Sequence, residues 1–354
     1  MDISKKIEFT SATYQQIISK IATIDRFKGS WKTLTMTENQ HLKELRKIAT
    51  IESIGSSTRI EGATLTDTEV EKLLKSVKIK KFKTRDEEEV AGYFEALKAI
   101  LEKYKTIKLI ENEVHNLHNI LLKYSSKDQR HKGKYKNLSN KVVANYQDGT
   151  QRTIFNTTEP HLTAVAMENL FLWQNEREKK NDLHPLLLIA TFVYEFLSIH
   201  PYQDGNGRLS RLLTTLLLMK KDYLFIQYVS FENIIETKKE EYYRALMDGQ
   251  KNRNTQKEKI DKWLLFFLDC IILLIERLEA KYQVYNQLKK GLNPRQQKIM
   301  QQIKKLQPAS VSDIERTLKG HSRNTIKKDL AYLLAEEFII KTGELKGTKY
   351  YIKP

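Results

Sequence analysis

Residues 186–219 oblige two apolar helices to meet at one short polar loop. Leu186–Ile199 is an apolar helical stretch, and Arg208–Met219 repeats Leu209, Leu212, Leu213, Leu216 and Leu217 at the 3.6-residue spacing of a core-facing helix. Between them runs His200-Pro-Tyr-Gln-Asp-Gly-Asn-Gly-Arg-Leu-Ser-Arg211. Gly205 and Gly207 tolerate positive φ and allow close approach, so the backbone around Asn206 can expose successive N–H groups as an anion nest. That nest falls at the N-terminus of the second helix, where the dipole and free N–H groups favour phosphate. Arg208 and Arg211, three residues apart, share a face of the first turn. Asp204, on the loop side, is placed to hold Mg²⁺ through oxygen. With His200 at the end of the first helix, the segment has the parts to hold a polyphosphate, its metal ion and a general base.

The rest of the chain is written mostly in the same helical period. Six prolines and thirteen glycines in 354 residues are too few for the many turns of an all-β fold. Residues 11–22 predict a short amphipathic helix, with Trp31 in a basic linker beyond it. A second helix starts at Thr37, keeps its period through Leu42, Leu45, Ile48, Ala49 and Glu52, and ends near Gly55 or continues to Gly62. Thr66-x-x-Glu69 is a capping box opening a third. Arg85–Lys105 is acidic at its start and basic at its end, matching the helix dipole, and Ile110–Tyr124 continues the bundle. Lys134–Thr158 changes texture: Val142-Val143, then Asp148-Gly149, then Thr153-Ile154-Phe155 predict a β-hairpin. Helix returns at Leu162–Trp173 and predominates to residue 289. Its longest apolar run, Trp263–Ile275, contains Asp269, is too short to span a bilayer and reads as a buried core helix.

Asn293-Pro294 marks a break. Beyond it, helical patterns over 294–306, 310–318 and 322–334 precede two short apolar runs, Phe338-Ile339-Ile340 and Tyr350-Tyr351-Ile352. That order predicts a winged helix-turn-helix, with Arg323, Asn324, Lys327 and Lys328 on the recognition helix and Lys346 and Lys349 at the hairpin tip. The organisation expected is an N-terminal helical region over 1–105, a core domain over 106–290 and the winged helix over 291–354. A net charge of +17 points to an anionic partner, although the lysines are scattered as pairs along most helices. The single cysteine, Cys270, excludes an internal disulfide framework and fits a reducing cytoplasm. Met1–Thr10 is polar, so no signal peptide and no membrane partner are expected.

Segment 200–211 resembles the signature of the Fic family, His-Pro-Phe-x-(Asp/Glu)-Gly-Asn-Gly-Arg-x-x-Arg. Tyr202 stands where phenylalanine is usual, and its hydroxyl needs a partner. Many members of that family also carry an inhibitory helix with the pattern (Ser/Thr)-x-x-x-Glu-(Gly/Asn), which Ser57-Thr-Arg-Ile-Glu61-Gly62 matches. The resemblance implies a mainly α fold, a Fic helical bundle with a β-hairpin flap. It implies transfer of AMP from ATP, with Mg²⁺ or Mn²⁺, to a Ser, Thr or Tyr hydroxyl of a target protein or of the chain itself. His200 would be the general base and Asp204 the metal ligand. Gly205, Asn206 and Gly207 would form the nest, and Arg208 and Arg211 would neutralise the β- and γ-phosphates. Glu61 would pair bidentately with Arg211 and mis-seat ATP, with Ser57 fixing the helix one turn earlier. The hairpin would add a strand to the target peptide, and Tyr243 lies on the helix that usually shapes the adenine pocket. Relatives that transfer a phosphate instead have lysine where this chain has Gly207, so AMP transfer is favoured. With Glu61 orienting water, the same site could also remove AMP. The rival reading is a DNA-binding regulator or interaction protein with a weakly active core; the intact motif argues against it. A homodimer and duplex DNA complete the expected partners.

Overall fold

The computed structural model describes residues 3–34, 40–76, 82–145, 151–290, 292–318, 320–343 and 347–352. The chain divides into two compact units, Met1–Glu279 and Ala280–Pro354. In the first, a short 3-10 turn (Ile3–Ile7) leads into α1 (Ser11–Leu34), α2 (Gln40–Ile60), α3 (Asp67–Ser76), α4 (Arg85–Lys103) and α5 (Glu111–Leu121). An antiparallel hairpin follows, β1 (Lys141–Asn145) with β2 (Gln151–Asn156), its register shifted between Val142 and Val143. Then come α6 (Pro160–Lys180), α7 (Pro185–Ile199), α8 (Asn206–Lys220), α9 (Phe231–Thr237), α10 (Lys239–Gln250) and α11 (Asp261–Lys290).

The site rests on α7 and α8. Every residue from Leu186 to Ile199 is buried, and α8 is buried from Arg208 to Met219. A helix apolar all round belongs at the centre of a core, and one continuous apolar cluster surrounds this pair from Ile3 to Leu278. The loop joining them is therefore set by two elements packed into the core along their length. Trp263 of α11 locks the pair from behind by donating to the Ala190 carbonyl at 2.8 Å.

One helix is longer than its periodicity indicates, another takes the longer of its two expected courses, and tertiary contacts explain both. The first extends past residue 22 to Leu34 because Phe27 and Trp31, one turn apart, pack on Phe225 and Tyr228. Trp31 is thus a core residue of α1, not part of a linker. The second runs through Gly55 to Ile60. A Cβ there would lie 2.5 Å from both Arg59 and Asp67, so this glycine admits a close approach and does not end the helix. Thr66 and Glu69 do form the capping box, with Thr66 N–H to Glu69 Oε2 at 2.8 Å. The Asp148-Gly149 turn lies outside the described residues. Among the described residues no helix is long and apolar enough to cross a membrane.

The second unit holds α12 (Pro294–Leu306), α13 (Val311–Thr317) and α14 (Arg323–Ala335), then an antiparallel hairpin of β3 (Ile339–Thr342) and β4 (Lys349–Ile352). Its own small core includes Ile299, Ile303, Ile314, Ile326 and Leu330. Capping boxes at Asn293 and Ser310 start its first two helices. Asn324, Lys327 and Lys328 are exposed on α14, while Arg323 donates to Glu315 at 2.7 Å. Lys346 lies outside the described residues.

Candidate active site

His200 terminates α7 in the left-handed conformation, φ 53° and ψ 62°, with its N–H donating to the Phe196 carbonyl. Its Nδ1 lies 3.3 Å from the Leu197 carbonyl. A carbonyl only accepts, so Nδ1 carries the hydrogen and Nε2 keeps its lone pair. Burial, and then the nearby Lys136 ammonium, hold its pKa down to about 4. The imidazole is consequently neutral at physiological pH, the form a general base requires.

The loop that follows is braced from inside. The Asn206 amide accepts from Tyr202 N–H at 2.8 Å and donates to the Tyr202 carbonyl at 2.7 Å. Its side chain is spent on holding the turn rather than offered to a ligand. The Gly205 N–H likewise donates to Asp204 Oδ1 at 2.6 Å. Gly205 has φ 79°, a conformation that favours glycine. The Tyr202 hydroxyl finds its partner in His115 Nδ1 at 2.8 Å, and its ring stacks on His118 with centroids 3.8 Å apart. His118 accepts the Gly133 N–H on Nδ1 and donates from Nε2 to the Asp204 carbonyl at 3.0 Å. Burial lowers its pKa to about 4.

Asp204 sits between two arginines. Burial alone would raise its pKa; Arg208, the Gly205 N–H and Arg85 outweigh this and keep the carboxylate ionised. Arg85 approaches at 3.3 Å and Arg208 at 3.2 Å. Arg208 is 1 % exposed; its terminal nitrogen facing Glu89 at 3.2 Å makes an ion pair without hydrogen-bond geometry, and its Nε has no hydrogen-bond partner among the described residues. A buried guanidinium with unused donors is costly unless an anion completes it. A nucleotide phosphate would do so. Asp204 also suits Mg²⁺, being one hard-oxygen ligand beside a phosphate seat. Among the described residues no cluster of three or more His, Cys, Asp or Glu could cage a metal, so the ion's other ligands would be phosphate oxygens and water.

The last turn of α2 closes the other side. Arg211, 3 % exposed, donates from Nε to Ser57 Oγ at 2.8 Å. Its NH2 group serves both the Ser57 carbonyl at 2.9 Å and Glu61 Oε1 at 2.7 Å. The clamp on Arg211 is thus divided between Ser57 and Glu61, where the sequence suggests a fork to Glu61 with Ser57 nearby. The Glu61 carboxylate lies over the start of α8: a Cβ on Gly207 would be 2.2 Å from Glu61 Oε1. A negative group therefore already occupies the anion seat at this helix N-terminus. Arg59 anchors the turn, donating to both carboxylate oxygens of Glu236 at 2.7 and 3.0 Å and to Asp67 at 2.9 Å. Lys239 donates to the Ile60 carbonyl at 2.9 Å.

His200, Asp204, Gly205, Asn206, Gly207, Arg208, Arg211 and Glu61 border one cavity of about 350 Å³; Ser57 reaches it through Arg211, and Tyr202 lies behind the loop against His115 and His118. Tyr243 lines it beside Tyr242, their rings edge to face at 5.1 Å, and the start of the hairpin, Asn140 to Val143, forms a wall. Lys136, Arg85, Glu89 and His118 also serve the site and carry no motif signal, because long-range packing alone brings them there.

Residues 108–218 match the Fic/DOC family. The protein adenylyltransferase Fic of Drosophila mojavensis is 30% identical over 191 residues, 52% of this chain and 35% of that protein. Its counterpart in Drosophila grimshawi is 29% identical over 187 residues, 52% of this chain and 36% of that one. The chain thus spans about a third of the length of the curated relatives it matches. Among solved structures, a Fic family protein from Desulfovibrio desulfuricans G20 superposes with a TM-score of 0.63 at 21% identity, covering 98% of both chains. A Fic domain-containing signaling protein from Bacteroides thetaiotaomicron VPI-5482 gives 0.60 at 25% identity, covering 73% of this chain and 97% of that one. The mainly helical fold with its small hairpin is the fold of these neighbours.

Proposed function

Because the chain is a Fic-family protein through residues 108–218, we propose that it transfers AMP from ATP to a protein hydroxyl and that Glu61 restrains it. The observation that carries this reading is the convergence, in one cavity, of a neutral histidine, an ionised aspartate and two buried arginines, Arg208 beside Asp204 and Glu89 and Arg211 held by Glu61. The curated relatives are named protein adenylyltransferases, which supports the same chemistry. In the step proposed, His200 Nε2 takes the proton of a target Ser, Thr or Tyr hydroxyl. The freed oxygen bonds to the α-phosphorus, the bond from that phosphorus to the β-bridging oxygen breaks, and pyrophosphate leaves. Phosphoryl-group transfers rely on in-line placement and charge neutralisation more than on covalent help. Arg208 and Arg211 supply cationic donors, Asp204 would hold Mg²⁺, and Tyr242 and Tyr243 offer aromatic faces to a base. When bound, the ion would neutralise charge on the phosphate oxygens.

The test uses Glu61→Gly protein, Mg²⁺ and ATP labelled at either the α- or the γ-phosphate. Label on protein from the α-position alone supports AMP transfer; label from the γ-position would overturn it in favour of phosphate transfer. Omitting the metal should matter equally. We expect EDTA to abolish labelling and Asp204→Ala to lower it roughly 10²-fold or more, because a bound ion contributes several kcal/mol of charge stabilisation. Full labelling in EDTA would remove Asp204 from the metal assignment.

For the second unit, a winged helix that binds duplex DNA is the reading the charge favours over a protein partner. Residues 280–354 contain 16 of the 61 Lys and Arg but only 6 of the 44 Asp and Glu, a net +10 of the chain's +17. The full chain should shift a labelled duplex at low salt, with log affinity falling against log salt by about 0.9 per phosphate contact. Lys327→Glu with Lys328→Glu should weaken it strongly. An unchanged shift in that double variant would exclude α14 as the contact.

A further inference from the structure

The hairpin and the catalytic loop are joined through one buried lysine. Lys136 lies five residues before β1 and is 4 % exposed. Its ammonium donates to Asn140 Oδ1 at 2.8 Å, Thr157 Oγ1 at 2.8 Å and the Ile199 carbonyl at 3.0 Å. Asn140 immediately precedes β1 and Thr157 immediately follows β2. One ammonium thus grips both roots of the hairpin together with the residue before His200. The backbone repeats the join: Lys136 N–H donates to the Pro201 carbonyl at 2.9 Å, and Asn140 Nδ2 to the Tyr202 carbonyl at 2.8 Å. Thr157 in turn donates to the Asn140 carbonyl at 3.0 Å.

All three oxygens hydrogen-bonded to the ammonium belong to neutral groups, and the Glu159 carboxylate acts on it only from further off and does not outweigh burial. Burying a charge without a carboxylate beside it is expensive, and a methionine would fill the same space without that cost. Burial lowers the lysine pKa to about 8, so the charge persists at neutral pH. Space filling therefore does not account for the residue, whereas joining three chain segments does.

We infer that Lys136 is the positioning residue that sets the hairpin in register with His200, so that a hydroxyl on a target segment lying along β1 arrives at Nε2. This rests on the transferase reading above. The same ammonium acts on His200 electrostatically. The charged groups bearing on the imidazole are Lys136 from the hairpin root, Glu61 from the end of α2 and Asp204 from the loop. Lys136 alone among these opposes its protonation.

The decisive variant is Lys136→Met, made in both the wild-type and the Glu61→Gly chain. In the Glu61→Gly background, labelling of protein should fall about 10–10²-fold, as misplacement of a reacting group by about an ångström does. ATP binding, measured by calorimetry, should change less than twofold. Two readouts need no activity. Hydrogen exchange across 141–145 and 151–156 should speed up at least tenfold, and the His200 pKa measured by NMR should rise. The pKa rise reports loss of the cation itself, and faster hairpin exchange with the labelling loss at unchanged ATP affinity reports the loss of register. Thr157→Val removes one of the three acceptors at near-constant volume, and should give a smaller change in the same direction even if Lys136→Met folds poorly. Unchanged exchange in the hairpin and an unchanged His200 pKa would overturn the inference. Faster exchange and a raised pKa with no labelling from any variant would leave the positioning role standing and sink the transferase reading instead.

Discussion

Glu61→Gly protein is expected to incorporate AMP from labelled ATP about 10–10²-fold faster than wild type. That range corresponds to a charge-assisted hydrogen bond of ~1.5–3 kcal/mol, which is what the 2.7 Å contact from Arg211 NH2 to Glu61 Oε1 represents. Its sign separates this expectation from ordinary mutational damage. Removing a carboxylate from a helix end normally does nothing or slightly destabilises, whereas here it should release activity. Release should not leave Arg211 loose, since Ser57 still accepts from its Nε and NH2 groups. The guanidinium then stays aimed at the seat the carboxylate has vacated. Glu61→Gln tests the charge more narrowly, keeping shape and one acceptor, and should release most of the inhibition. Equal self-labelling by wild type and Glu61→Gly in the same assay would return Glu61 to the status of an ordinary residue before a helix-ending glycine.

His200→Ala, made in the Glu61→Gly chain, should lose about 10²–10⁴-fold in rate, the usual loss for a general base. ATP affinity should barely change, because the imidazole serves the incoming hydroxyl. The pH dependence carries further information. The folded pKa of about 4 is depressed, chiefly by burial and then by Lys136. The neutral, proton-accepting form is therefore present above that value and is lost as pH falls through it. Hence kcat/KM should stay nearly flat from about pH 6 to 8, where a histidine of ordinary pKa near 6.5 would already be titrating. A clear fall between pH 7.5 and 6 would overturn the depressed pKa, and full labelling by His200→Ala would exclude His200 as the base.

The parts of this site that were legible in the sequence are those set by short-range geometry. Residues 200–211 are contiguous, and Ser57 and Glu61 are one helical turn apart, so spacing alone puts each set on one surface. Even there, side-chain direction was not legible. Asn206 reads as part of an anion nest, yet its amide turns inward to Tyr202. The roles of Lys136, Arg85, Glu89 and His118 depend on packing between distant segments, to which no local period points. Helix length shows the same division. The extension of α1 to Leu34 is decided by Phe225 and Tyr228, nearly two hundred residues away in the chain. The charge distribution, scattered when read along individual helices, becomes concentrated once the second unit is delimited.

Arg59 has a consequence for how fast the restraint can act. It ties the last turn of α2 to Glu236 and Asp67, and Lys239 ties the same turn at Ile60. A helix fastened at that point cannot swing away each time nucleotide arrives, so the moving part is the Glu61 side chain. Rotamer changes take picoseconds to nanoseconds, against microseconds to milliseconds for helix displacement. In the transferase proposed above, Glu61 would then behave as a tethered competitor of ATP that re-equilibrates many times within one turnover. The apparent affinity for ATP equals the intrinsic affinity scaled by the fraction of time the carboxylate is away, about a hundredfold weaker if that fraction is about 1%. Rising nucleotide concentration would by itself draw molecules out of the restrained state, so the set point of the proposed activity would lie in the local ATP level as much as in any partner.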